Sequence, residues 1–216
     1  PAAAASLALL YDQKEAILKN LLTFKDSAEM KLYKGREDFA AVYPFVPYQF
    51  HLLGNVLTAI RENGASGKHL AEGERSMLAL FKESAMAVMS GEEGALVPFN
   101  LFFNALAQFI DHTHAIVITH AQENERLEPF DVEVLKVLFM IKYVKEITGN
   151  ADNLTTLLVS AMEEDRLALK KKVEDSLRRL EQQTLIQKNG EVYSFLTNEE
   201  QNINRAILKE STEMGE

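Results

Sequence analysis

Cysteine is absent from the 216 residues. That excludes a disulfide framework, thiol catalysis and cysteine-ligated zinc, and it fits a reducing cytosol. Long apolar runs are missing too. Stretches such as "AIVI" fall far short of the roughly 20 residues that a membrane span needs, so no membrane partner is expected. The opening "PAAAASLALL" lacks the basic start of a signal peptide, and the cytoplasm is the expected location. The chain begins with Pro rather than Met and reads as a piece cut from a longer protein. Its hydrophobic share of 47% and charged share of 25% are ordinary globular proportions, which argue against wholesale disorder. The formal charge of −9 argues against a surface that binds nucleic acid everywhere. A local basic patch is the form such binding would take.

Catalytic motifs are equally scarce. "RENGASGKHLAEGERSML" (61–78) has Gly64, Gly67 and Lys68, but a P-loop needs G-x-x-x-x-G-K-[ST] after a strand. Here the glycines are too close, His69 stands where a hydroxyl must be, and "NVLTAIREN" leads in as a helix. His112, His114 and His120 are spaced so that one helical face cannot present all three, and no metal site is expected. The pairs Glu92-Glu93 and Glu163-Glu164 lie in polar, turn-like contexts without the burial that general acid work needs. The chain shows no self-contained active site and is not expected to be an enzyme on its own.

Apolar periodicity is plentiful. Leu7, Leu10, Ala16, Ile17, Leu21 and Phe24 predict a helix over 3–24. "KDSAEMKLYKG" is polar and turn-rich, with room for a short strand. Pro44 and Pro47 break one helix near Tyr43 and start another. Its stripe of Phe50, Leu53, Val56, Leu57 and Ile60 ends at Asn63-Gly64. Another helix is predicted over 72–89, with Met77, Leu80, Phe81, Ser84 and Val88 on one side. The segment "PFNLFFNALAQFIDHTHAIVITHAQ" is apolar nearly all round and predicts a buried helix. "ENERLEP" is a polar linker and the candidate domain boundary.

Beyond Pro129 the pattern changes. "FDVEVLKVLFMIKYVKEITGN" predicts an amphipathic helix capped by Asp131 and stopped at Gly149-Asn150. "ADNLTTLLVSAM" gives a short second helix. A third has Leu169, Val173, Leu177 and Leu180 inward. It runs into "TLIQKNGEVYSFL", two β-prone runs around Asn189-Gly190, a strong hairpin signal. A last helix covers about 198–212. Three helices and a hairpin are the order of a winged helix-turn-helix, with Leu185, Ile186, Tyr193 and Phe195 packed inward.

In many such domains the third helix reads DNA. Residues 165–188 hold seven basic side chains: Arg166, Lys170, Lys171, Lys172, Arg178, Arg179 and Lys188. Against Asp165, Glu174, Asp175 and Glu181 the balance is 7 − 4 = +3. Phosphate contact is one reading. A solvated face is the other, with Lys170–Glu174 and Lys171–Asp175 as i,i+4 pairs. Docking of another protein is a further use of the same fold.

Two stretches then carry a resemblance. "YPFVPYQF" (43–50), followed by Gly67-Lys68-His69-Leu70 and Gly73-Glu74-Arg75-Ser76, resembles the middle of the large P-loop ATPase of bacterial BREX phage-defence systems, the BrxC family. The match is specific over about residues 40–90 and weaker, by pattern only, to 212. It implies a parent with an upstream AAA-like core that binds ATP and Mg²⁺ and that this chain lacks. "VPYQFHLL" and "GERSM" are also similar to the lid motifs of origin-recognition AAA+ proteins, although Arg75 lies one residue closer to its Gly than there. The implied role of Arg75, with Lys68, is to face a nucleotide held by another domain.

The expected fold is therefore mainly α: a helical, AAA+ lid-like domain (1–125), then a winged helix with a small β-hairpin wing (128–212). The expected function is a non-catalytic regulatory module coupling nucleotide state to DNA or partner binding. The alternative is a purely structural protein-docking module. Expected partners are the missing core, other BREX defence proteins, double-stranded DNA and a second copy in a homo-oligomer.

Overall fold

The structure is a computed structural model that describes residues 2–64, 73–89, 91 and 93–215, with backbone alone for 73–77 and 89. Ten α-helices hold about 64% of the described residues, among which one two-stranded hairpin is present, so the fold is mainly α. Helix α1 (Ala2–Leu21) buries Tyr11, Leu18 and Leu21, and packs on α2 (Arg36–Val42). The rings of Tyr11, Tyr33 and Phe39 meet there, with centroids 4.9–6.1 Å apart, an arrangement favoured by the ring quadrupoles. No strand forms in 25–35, where the sequence left room for a short one. That segment spends its polar groups on distant elements instead: Ala28 N–H donates to Glu146 O (2.8 Å), and the Tyr33 hydroxyl donates to Phe45 O.

Pro44 and Pro47 act as expected. Helix α2 ends before them and α3 (Tyr48–Glu62) begins just after. The buried face of α3 is Leu52, Leu53, Val56 and Ile60, while Phe50 is exposed. Helix α4 (Gly73–Met89) buries Leu80 and Ser84. The following segment, 94–99, lies beside 157–162: Leu96 N–H donates to Ser160 O (2.9 Å), Met162 N–H to Gly94 O (2.9 Å) and Phe99 N–H to Leu157 O (2.7 Å).

The aromatic segment is not one helix. Helix α5 (Leu101–Leu106) passes into a 3₁₀ turn (Ala107–Phe109), the chain extends at Ile110, and α6 (His112–Glu123) starts afresh. Asp111 causes the restart: its carboxylate accepts the Thr113 N–H (2.7 Å) as an N-cap. The break turns Phe102, Phe103 and Leu106 inward on one side and Val117 and Ile118 on the other.

Helix α7 (Pro129–Ile141) is buried almost all round. Its cap is Glu128, not Asp131, which sits at the third helical position and completes a capping box by accepting the Glu128 N–H (2.8 Å). It also stops eight residues short of Gly149, and just past its end the Lys142 side chain pairs with Glu200 (2.9 Å) and donates to Phe195 O. Asn150 instead caps α8 (Ala151–Leu157), accepting the Asn153 N–H (2.8 Å). Helix α9 (Arg166–Gln182) buries Leu169, Val173, Leu177 and Leu180 as expected. Strands β1 (Ile186–Asn189) and β2 (Val192–Phe195) pair antiparallel, Ile186 opposite Phe195. Gly190 takes φ +65 in the turn between them, a conformation glycine adopts freely. Helix α10 (Asn198–Glu213) closes the chain with a Thr197–Glu200 capping box.

Strand β2 also meets the chain just before α8. Tyr193 N–H donates to Gly149 O (2.8 Å), and Asn150 bridges Val192. A Cβ on Gly149 would lie 2.6 Å from Tyr193 O. The obstacle is backbone, so it cannot swing aside. Gly149→Ala is expected to cost about 1–3 kcal/mol through this overpacking; an unchanged urea midpoint would contradict it.

Candidate binding surface

The basic residues of α9 divide by what they touch. Arg179 Nε and Nη2 both donate to the Asp131 carboxylate at 2.8 Å, and Asp131 is fully buried while the Arg179 side chain is 27% exposed. Burial opposes the charge on Asp131. The hydrogen bonds from Arg179 and the Glu128 N–H outweigh it and hold the carboxyl below the usual carboxylate range. Arg166 is likewise committed inward. Its Nη1 donates to Leu21 O (2.7 Å) and Thr156 Oγ1 (2.8 Å), and its Nη2 to Asp152 O (3.1 Å). These two arginines tie α9 to α7, α8 and the end of α1.

The other four on α9 lie on its outer side, as does Lys188 on β1. Lys170 pairs with Asp152 (3.1 Å) rather than with Glu174. Asp175 is taken by Arg178 (3.1 Å) rather than by Lys171. Lys172 Nζ lies 4.1 Å from the Phe130 ring centroid, a cation–π contact. Lys171 is exposed, and Lys188 lies over Tyr193 at 5.7 Å.

Between α9, the hairpin and the start of α8 runs a groove of about 510 Å³. Lys25, Lys170, Arg178 and Lys188 line it, and so do Asp152, Glu174, Glu181 and Glu191, so the formal sum is 4 − 4 = 0. The sequence count along one helix missed Asp152 and Glu191, which reach the groove from other elements. Glu191, next to the Asn189-Gly190 turn, was open to discovery from the hairpin register. Asp152 had no such signal.

Lys68 lies outside the described residues, and of Arg75 only the helical backbone in α4 is described. The structure therefore places neither side chain of the pair expected from the sequence to face a nucleotide. Among the described residues no three His, Asp or Glu side chains gather as a metal site. Asp111 spends its carboxylate on Thr113, both on its N–H (2.7 Å) and on its hydroxyl (2.6 Å). No described helix is long and apolar enough to cross a membrane. Neither a protein-family model nor a solved structure gives a significant match to the chain.

Proposed function

We propose that the chain is a non-catalytic docking module of a BREX-type defence ATPase. In this reading its C-terminal winged helix engages a protein partner and passes that contact to the helical, lid-like part. The winged-helix identity is supported by the order of three helices and a hairpin, and by the pairing of β2 with Gly149 and Asn150, which adds a short third strand-like edge. ATP and Mg²⁺ belong to the parent's core, and Arg75 and Lys68 would face them from outside.

One observation favours protein over duplex DNA: the neutral groove between α9 and the hairpin. Four carboxylates beside four cations cancel the field that phosphates need, whereas mixed charge suits a polar protein surface and sets register there. Duplex DNA is the second reading, favoured by the exposed run of Lys171 and Lys172.

A fluorescence-anisotropy titration against a short duplex at two salt concentrations separates them. Weak binding with a shallow salt slope is expected, unchanged when Lys170, Lys171 and Lys172 become Ala. A steep slope, about one log unit of affinity per log unit of salt for each phosphate engaged, lost in the triple variant, would overturn the protein-docking reading and put DNA first.

A further inference from the structure

Helix α10 leaves the body of the protein after its first turn. Gln201 is buried and donates to Leu196 O (3.0 Å), and Glu200 pairs with Lys142. From 202 to 215 every residue except Asn204 is exposed. Successive helical residues turn by about 100°, so Ile203, Ile207 and Met214 fall within about 40° of one another, on the side away from Gln201. Their exposures are 59%, 58% and 85%, and Leu208 adds to the exposed apolar surface. About three turns of helix are marginal in water on their own. Large apolar side chains gathered on one face mark an interaction surface.

Charge decides what fits this stripe. On α10 Glu199, Glu200, Glu210 and Glu213 outnumber Arg205 and Lys209, 2 − 4 = −2. By the same helical turn Glu199, Glu210 and Glu213 lie along one flank of the stripe, while Arg205 and Lys209 lie on the opposite side of the helix. A second copy of the chain is a poor occupant. Laid antiparallel, two such stripes set the glutamate flank against itself. Laid parallel, the other flank, with Glu200, Asn204 and Ser211, has no cation to offer. An anionic lipid surface or a phosphate backbone is repelled by the same carboxylates.

We propose that the outer face of α10 pairs with a basic amphipathic helix of another protein. The apolar stripe of that helix covers Ile203, Ile207 and Met214, and its lysines or arginines meet Glu199, Glu210 and Glu213. Helix α10 shares no lining residue with the α9–hairpin groove, so the inference stands whatever that groove binds.

The test is an NMR titration of the 216-residue chain with a designed helical peptide of about three heptads, leucine at a and d and lysine at e and g, and with its counterpart carrying glutamate at e and g. The lysine peptide is expected to shift the backbone amides of Ile203 to Met214 with a Kd of about 100 μM or tighter, and the glutamate peptide to bind at least about tenfold more weakly. Ile203→Ser with Ile207→Ser should abolish the response. Glu199→Gln with Glu210→Gln and Glu213→Gln should weaken it about threefold to tenfold. All these positions are exposed, so the variants are expected to keep the parent spectrum elsewhere. Equal affinity for the two peptides, shifts confined to other elements, or a response that survives the double serine variant would overturn the assignment. So would dimerisation in sedimentation velocity that the same variant abolishes, which would make a second copy the occupant.

Discussion

Replacing Asn153 with Ala is expected to lower the unfolding free energy by about 3 kcal/mol, a fall in Tm of roughly 6–12 °C for a chain of this size. The side chain is fully buried and makes three hydrogen bonds, all to backbone. Oδ1 accepts the Lys25 N–H (2.8 Å), and the Nδ2 protons go to Lys25 O (2.7 Å) and Thr148 O (2.8 Å). Truncation strands one donor and two acceptors, and each buried group left unpaired costs about 1–3 kcal/mol. Two circumstances hold the total near the lower end: Lys25 O keeps a bond from Asn150 Nδ2 (3.1 Å), and Lys25 itself is exposed to water. Aspartate at 153 would be no rescue, because an ionised carboxylate cannot donate to two carbonyls. Urea unfolding followed by circular dichroism measures the effect. A midpoint within error of the parent would remove Asn153 from the framework that joins α1 to α8.

Arg179→Ala is expected to cost about 3 kcal/mol at neutral pH. The loss comes from the carboxylate left behind more than from the bond removed: Asp131 is fully buried, and a buried charge stripped of its partner is destabilising by about 3–5 kcal/mol. The partial exposure of Arg179 lets water in after the truncation and places the value at the low end of that range. The pH dependence separates this cause from a loss of packing. The Asp131 pKa is depressed below 3.8 in the folded protein, so its contribution is present above that pH and is lost as pH falls through the folded value. In the variant burial is opposed by the Glu128 N–H but no longer by Arg179, so the same pKa rises and protonation relieves the penalty. The gap between parent and variant should therefore be full near pH 7 and narrow as pH falls toward and below 3.8. A gap constant over that range would show that the arginine matters only as bulk. Asp131→Asn with Arg179→Ala should recover part of the loss, because no buried charge then remains.

The C-terminal elements were legible because their signals are local. Leu169, Val173, Leu177 and Leu180 recur at helical spacing and are all buried, and Asn189-Gly190 supplied the turn chemistry of the hairpin. Failures occurred where distant contacts decide. The apolar pattern after Pro129 continues through Tyr143 and Val144, yet α7 stops at Ile141, where Lys142 reaches Glu200 and Phe195, more than fifty residues on. The break in the aromatic segment had a local sign in Asp111, a good N-cap overshadowed by the hydrophobic run around it. The basic helix was legible as a count and illegible as a surface. Arg166 and Arg179 resemble Lys171 in any composition argument, and their partners Leu21, Thr156 and Asp131 come from other elements.

Helix α1 is a rod of about 30 Å by its 20 residues, held at its C-terminal end. Arg166 grips Leu21 O, Thr156 Oγ1 donates to Thr23 O, and Asn153 clasps Lys25. Its middle is held too: Tyr11 is buried against Phe39 of α2 and Lys14 pairs with Glu163, while Ala2–Ser6 is exposed. A rotation imposed on α8 and α9 would therefore carry α1 and α2 along as one body. A turn of about 10° about the base would move the far end of the rod through roughly 5 Å, about one helical turn.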